Sequence, residues 1–303
     1  MMAPLKILLT GANGFIGTAL TTHLEQQGHH VLIATRNIHH AAADNALFWN
    51  PDDNELDGHK LAQLAPDAVV HLAGPTIGRY WWPAYKKYMM RNRIASARLL
   101  AEKISLMENR PQVFIGVSAI GYYGNSLMPV DEASPKGKGF ASDLVKAMED
   151  HLQPLKEMDI RTVHARMGVA LGDGGALAQM LPPFKLGLGG PMGNGEQTMS
   201  WVALEDAVAA ISTLITDARY KGAVNITSPN PVSNARFSRT LAQLLGRPCL
   251  LSMPELVVKT LFGQMGQELL LGGAPVLPKV LEKNGYTFKV PNLDEALRRA
   301  LPH

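Results

Sequence analysis

Apolar residues in this chain gather in short, nearly unbroken runs, and the stretches between those runs carry a helical spacing. The runs stand at 6–10, 31–35, 68–72, 113–117 and 161–165, with a shorter one at 224–226. A strand with one wet face alternates apolar and polar residues, whereas a strand covered on both faces is apolar throughout. The intervening segments at about 84–104, 142–158 and 204–216 are long enough to be crossover helices. The pattern therefore predicts an α/β fold, a doubly wound parallel sheet that binds its ligand outside the carboxyl ends of its strands.

Beyond Pro229 the pattern turns mostly helical with short connections, and the tail at 292–301 reads as an amphipathic helix with acids early and arginines late. Residues 182–197 are dense in glycine and proline, which predicts an irregular connector or lid. These features divide the chain into a dinucleotide-binding domain over 1–228 and a small C-terminal substrate or lid domain over 229–303. Residues 167–203 are expected to contribute to the substrate lobe.

The first apolar run leads directly into Thr10-Gly11-Ala12-Asn13-Gly14-Phe15-Ile16-Gly17, three glycines spaced three apart ahead of a helical segment. Glycines allow the tight turn and let backbone N–H groups approach a pyrophosphate seated on the positive end of the helix. Strand, glycine loop, helix, terminal Gly28 and second strand together predict a dinucleotide site of the Rossmann type. At the end of the second strand stands Thr35-Arg36-Asn37. An NAD-binding chain carries a carboxylate there for the ribose 2′-hydroxyl, whereas a guanidinium can pair with a 2′-phosphate, so Arg36 points to NADP.

The bulk composition narrows the remaining classes. With 303 residues, 46% hydrophobic and 18% charged, the chain has ample apolar material for a core. A net charge of +3 without a long basic run gives no footprint for nucleic acid or a membrane surface. The single cysteine excludes an internal disulfide. The first strand begins within the first few residues and no apolar stretch approaches membrane-spanning length, so the expected location is the cytoplasm. No His, Cys, Asp and Glu cluster has metal spacing, and no Gly-x-Ser-x-Gly is present, so a metal site and triad hydrolysis are not expected.

With these motifs assembled, the chain resembles the extended and atypical short-chain dehydrogenase/reductase superfamily, the NAD-dependent epimerase/dehydratase group. The glycine loop at 10–17 has that group's form. His71-Leu72-Ala73-Gly74 resembles the strand-end motif that runs along the cofactor, and Ser118 within Val117-Ser118-Ala119-Ile120-Gly121-Tyr122-Tyr123-Gly124 resembles the active-site serine. Arg166-Met167-Gly168-Val169, Gly174-Gly175-Ala176-Leu177 and Gln197-Thr198-Met199-Ser200-Trp201-Val202 are similar to one subfamily, the epimerase-family proteins with a C-terminal domain of unknown function. The resemblance implies cofactor contacts at Thr10, Gly11, Asn13, Gly14, Phe15, Ile16, Gly17, Thr35, Arg36, Asn37, Leu72, Ala73, Gly74 and Arg166. It also implies that the substrate pocket closes at Gln197 and Trp201, and that the protein is a monomer or a homodimer joined through the 84–104 helix.

The superfamily's acid/base pair is a tyrosine followed four residues later by a lysine that lowers the phenol's pKa. Here Phe140 and Leu144 stand in those places. Ser118 could hold a substrate oxygen, and Tyr122 or Tyr123 could carry the proton without lysine activation. Arg79 with Trp81 and Trp82 reads either as a stacking platform with an anion hook or as packing. Lys86, Lys87, Arg91, Arg93 and Arg98 on the 84–104 helix read as a solvated face. Two functions follow. One is an NADP-dependent oxidoreductase or epimerase-like enzyme for a small carbonyl or hydroxyl compound, with nucleotide-sugar-like molecules among the candidates. The other is a non-catalytic NADP(H)-binding redox sensor or regulatory protein.

Overall fold

The computed structural model describes residues 3–301. Its strands are β1 (Lys6–Thr10), β2 (His30–Thr35), β3 (Ala46–Asn50), β4 (Glu55–Leu56), β5 (Ala68–His71), β6 (Val113–Ala119), β7 (Arg161–Met167), β8 (Val169–Leu171), β9 (Thr198–Met199), β10 (Trp201–Ala203), β11 (Gly222–Ile226) and β12 (Val232–Ser233). Eight of them form one sheet in the order β11-β7-β6-β5-β1-β2-β3-β4. Every pairing in it is parallel except the β3–β4 edge. The chain runs outward from β1 through β2 and β3, then restarts on the other side at β5. The crevice between β1 and β5 is thus the switch point, where an open α/β sheet leaves room for a ligand.

The helices are α1 (Phe15–Gln26), α2 (Ile38–Ala41), α3 (Gly58–Leu64), α4 (Pro83–Ser105), α5 (Phe140–Asp150), α6 (Gln153–Lys156), α7 (Gly175–Lys185), α8 (Leu204–Thr216), α9 (Asn234–Leu244), α10 (Glu255–Met265), α11 (Lys279–Lys283) and α12 (Leu293–Ala300). Both sheet faces are covered, as continuous apolar strands require. Leu20 and Leu24 of α1 pack with Ile211 and Leu214 of α8 on one face. Ala97, Leu100 and Ile104 of α4 pack with Leu8, Val69 and Phe114 on the other. A third core joins Leu171, Leu177, Phe184 and Trp201 to Phe237, Leu241, Leu293 and Leu297, so residues from 171–203 share their packing with the C-terminal segment.

Three sequence expectations change. The 142–158 helix is two pieces, because Pro154 near the start of α6 has no N–H to continue α5. Pro182 and Pro183, expected in an irregular segment, lie inside α7, where burial of Leu181 and Phe184 holds the last turn despite the missing donors. The β3–β4 edge, with Trp49 buried on it, was not legible as a strand.

Candidate functional site

The glycine loop is built by steric necessity. Gly11 has φ +75°, and a Cβ on it would lie 2.9 Å from the Ala73 nitrogen, so the loop and the segment after β5 touch backbone to backbone. A Cβ on Gly17 would lie 2.1 Å from the Gly11 carbonyl oxygen, so α1 begins directly against the turn. No side chain caps α1 at Gly14. Its first-turn N–H groups remain available at the positive end of the helix dipole, the arrangement that receives a phosphate.

The opposite wall is fixed by a buried chain of hydrogen bonds. Ala73 N donates to Thr10 Oγ1 at 3.2 Å, and that hydroxyl lies 2.7 Å from His71 Nδ1. His71 Nε2 lies 3.2 Å from Ser96 Oγ, which donates to the Arg93 carbonyl. Burial, helped by the nearby Arg93 charge, lowers the His71 pKa to about 3. The ring is therefore neutral, and the one proton arrangement that satisfies every member has Thr10 donating to Nδ1 and Nε2–H donating to Ser96. Thr10, expected among the cofactor contacts, is fully buried with its hydroxyl bonded to His71 and Ala73, so its side chain secures the wall.

Between these walls lies a cleft of about 460 Å³, lined by Gly11, Asn13, Gly14, Thr35, Arg36, Asn37, Leu72, Ala73 and Gly74, all of which the sequence pointed to. Trp49, Pro51, Tyr88 and Asn92 also line it, and sequence reasoning missed them because they come from the unread β3 edge and from the α4 face. Arg36 is 65% exposed and reaches Asp52 at 3.7 Å, so it is free to exchange partners. Asp52 is held from α4 by Tyr88 at 3.2 Å and Asn92 at 2.7 Å. Phe15, Ile16 and Gly17 are not on the lining. The Phe15 ring instead packs on Gly172, Gly174 and Gly175, where any Cβ would strike it. The glycine cradle, the uncapped helix end and the exposed cation at the end of β2 fit an NADP-type dinucleotide.

A second cluster lies at the ends of β6 and β7. Ser118 is buried and donates to Glu149 Oε1 at 3.0 Å. Arg166 grips the same carboxylate through Nε at 2.8 Å and Nη2 at 2.7 Å, and donates to the Tyr123 hydroxyl at 3.0 Å. Burial works to lower the Arg166 pKa, but the hydrogen bonds and charge of Glu149 outweigh it and hold the pKa above arginine's usual value. Tyr123 donates to Asn225 Oδ1 at 2.7 Å, and burial pushes its phenol up to about 12. Tyr122, half-buried, lays its ring 3.4 Å from the Arg166 guanidinium. Arg166, expected among the cofactor contacts, thus has its donors on Glu149 and Tyr123.

The place of the missing acid/base pair is apolar at its side chains, while Glu268 accepts from the Phe140 and Ala141 N–H groups and Lys86 Nζ lies 4.7 Å from the Phe140 ring. Leu144 packs with Trp81, Met89, Ala141 and Met265, and Phe140 lies against them with its ring 5.1 Å from that of Trp81. Trp81 is buried there with its Nε1 donating to Ile77 O. Trp82 is exposed and stacked on Tyr80, and Arg79 is exposed. Gln197 spends its amide on the Met192 and Leu270 carbonyls. Trp201 is fully buried with Nε1 donating to Asn230 O, so it fills the third core and has no face for a substrate.

The fold and cleft define a doubly wound dinucleotide-binding protein of the short-chain dehydrogenase/reductase kind. The chain belongs to the NAD dependent epimerase/dehydratase family, whose model matches residues 7–227, and residues 253–300 match a domain of unknown function. An epimerase family protein of Mycobacterium bovis is 37% identical over 98% of this chain and 97% of its own length. The epimerase family protein YfhF of Bacillus subtilis is 34% identical over 98% of each. The crystal structure of the human epimerase family protein SDR39U1 with NADPH superposes with a TM-score of 0.87 at 33% identity, covering 98% of this chain and 99% of that one. Among the described residues no helix is long and apolar enough to cross a membrane.

Proposed function

We propose that this chain binds NADP(H) and exchanges hydride with a small carbonyl or hydroxyl compound. The observation that carries the cofactor is Arg36, an exposed guanidinium at the end of β2 beside an uncapped α1, in the cleft that Gly11, Gly14 and Gly74 also line. The relative solved with NADPH supports the same choice. Bound nicotinamide would supply the hydride. Gly11, Asn13 and Gly14 bind the dinucleotide, Arg36 turns from Asp52 to its 2′-phosphate, and Leu72, Ala73 and Gly74 form the wall beside it. Tyr122 is the proton carrier, because the Tyr123 hydroxyl is enclosed between Arg166 and Asn225 and Ser118 is bonded to Glu149.

One observation favours the second reading, an NADP(H)-binding sensor without turnover. Phe140, Leu144, Trp81 and Met265 close the position where the superfamily keeps its acid and base. A fluorescence titration of wild type and Arg36→Ala with NADPH and NADH tests the cofactor: NADPH should bind more tightly, and Arg36→Ala should lose on the order of tenfold or more. Stereospecific hydride transfer from labelled NADPH to any compound of a carbonyl panel would exclude the sensor. Turnover surviving intact in Tyr122→Phe would remove the proton-carrier assignment.

A further inference from the structure

Of the thirteen large apolar side chains exposed among the described residues, seven lie in two short stretches, 186–188 and 250–261. The fold brings those stretches together. Met253 N donates to the Pro191 carbonyl and Gly193 N to that of Met253, so the chain after α7 runs alongside the chain before α10. A Cβ on Gly190 would lie 1.7 Å from the Leu251 carbonyl oxygen, which keeps the two strips in backbone contact. Leu186 and Leu188 belong to the first strip, Leu250 and Leu251 to the second, and α10 begins directly after Pro254. On α10 the buried Val258 and Met265 face inward, the latter in a cluster with Trp81 and Leu144, and leave Leu256, Val257 and Leu261 outside. Leu250 is 89% exposed, Leu256 75% and Leu186 74%. With about 170 Å² for a fully exposed leucine, the seven leave roughly 700 Å² open. That exceeds the largest apolar patch of an ordinary monomer and approaches the ~800 Å² that each partner gives to a stable complex.

We propose that this surface is the two-fold interface of a homodimer of this chain. Glu255 and Lys259, four apart on α10, pair with each other and remain exposed beside Leu256. When two α10 helices meet antiparallel about a two-fold axis, the patch faces itself and each Glu255 comes opposite the partner's Lys259. The charges are then as self-complementary as the leucines. A formal charge of +3 per chain keeps repulsion between the copies small. A lipid surface fits less well, because an anionic headgroup layer repels Glu255. The α4 helix, where the family resemblance placed a homodimer contact, exposes Lys87, Arg91 and Arg98 and none of the thirteen apolar side chains. Across a two-fold axis those like charges would oppose one another.

Sedimentation velocity across the micromolar range tests this on wild type and four variants, with far-UV circular dichroism to check folding. Wild type should sediment as a dimer. Leu250→Glu/Leu256→Glu should be a monomer with an unchanged spectrum, since both residues are exposed. Glu255→Lys sets like charges across the axis and should weaken the dimer on the order of tenfold. The swapped pair Glu255→Lys/Lys259→Glu should restore it, and Lys87→Glu/Arg98→Glu on α4 should dimerise as wild type does. Should the leucine variant lose its native spectrum, the charge series decides. A wild type that stays monomeric, a dimer that survives Leu250→Glu/Leu256→Glu, a charge series without effect, or a dimer lost through the α4 variant would each overturn the proposal. A monomeric wild type that floats with vesicles of phosphatidylcholine and phosphatidylserine would give the surface to a lipid layer instead.

Discussion

At the carboxyl ends of β1, β2 and β5 the chain leaves a cleft of about 460 Å³ lined by glycines together with apolar and polar side chains. Near Ser118, beside the ends of β6 and β7, the cavity bounded by Glu149 and His164 is only about 10 Å³. In the first region the absence of side chains at Gly11, Gly14 and Gly74 lets its walls pack closely on their neighbours. The second is filled by side chains, with Met148, Glu149, Leu152 and His164 around the remaining space and Glu149 held by Arg166. A superfamily site thus has two separable parts. Holding a dinucleotide is a matter of backbone sterics and helix ends, while the chemistry depends on individual side chains that can be exchanged without disturbing the cradle.

The comparison can be broken most forcefully at Glu149. Glu149→Ala leaves the Arg166 guanidinium buried and unpaired, and should cost about 3–5 kcal/mol in denaturant unfolding. Replacing both partners with Leu and Met should cost far less. A loss below about 1 kcal/mol in the single variant would mean that the closed region does not depend on this pair. On the open side, Gly17→Val drives a side chain into the Gly11 carbonyl, and should cost about 3 kcal/mol and remove NADPH binding. Wild-type binding in that variant would show that the cradle tolerates a side chain.

Acid sharpens the comparison through the wall between the two regions. The folded-state pKa of His71, about 3, lies below its unfolded value of 6.5, so its contribution is fully present above pH 6.5 and is lost as pH falls toward 3. Between pH 6.5 and 5 this amounts to about 2 kcal/mol, and His164, also lowered by burial, adds in the same direction. Glu132 and Asp206, whose pKa values burial raises, bind protons more tightly when folded and work the other way at lower pH. The slope is therefore best read above pH 5. It should flatten in His71→Gln, and an unchanged slope would show that His71 is not the linked group. The smallest effect belongs to Trp82→Ala, which should move stability by no more than about 0.5 kcal/mol, because the ring is 62% exposed and touches mainly Tyr80. A larger loss would reveal packing against the C-terminal segment.

Much of the open region was legible in the sequence, because its determinants are local. The turn at Gly11, the start of α1 and Arg36 at the end of β2 all lie within one βαβ unit. Less of the closed region could be read. Arg166 and Trp201 carry motif resemblance, yet their partners Glu149 and Asn230 lie 17 and 29 residues away, and only the packed fold shows that their donors are already used. Arg93, read with the solvated face of α4, is half-buried against Gly74 with Nη2 donating to the Pro75 carbonyl, and that glycine belongs to another element.

The sequence by itself determined the parallel sheet, the glycine cradle, a cation at the end of β2 and the loss of the tyrosine–lysine pair, because unbroken apolar strands, glycine sterics and charge at a strand end act over a few residues. Tertiary structure alone decided which polar side chains face the cleft and which are spent on each other. That outcome depends on burial and on partners tens of residues distant, since a buried donor or charge must find its acceptor wherever the fold delivers one.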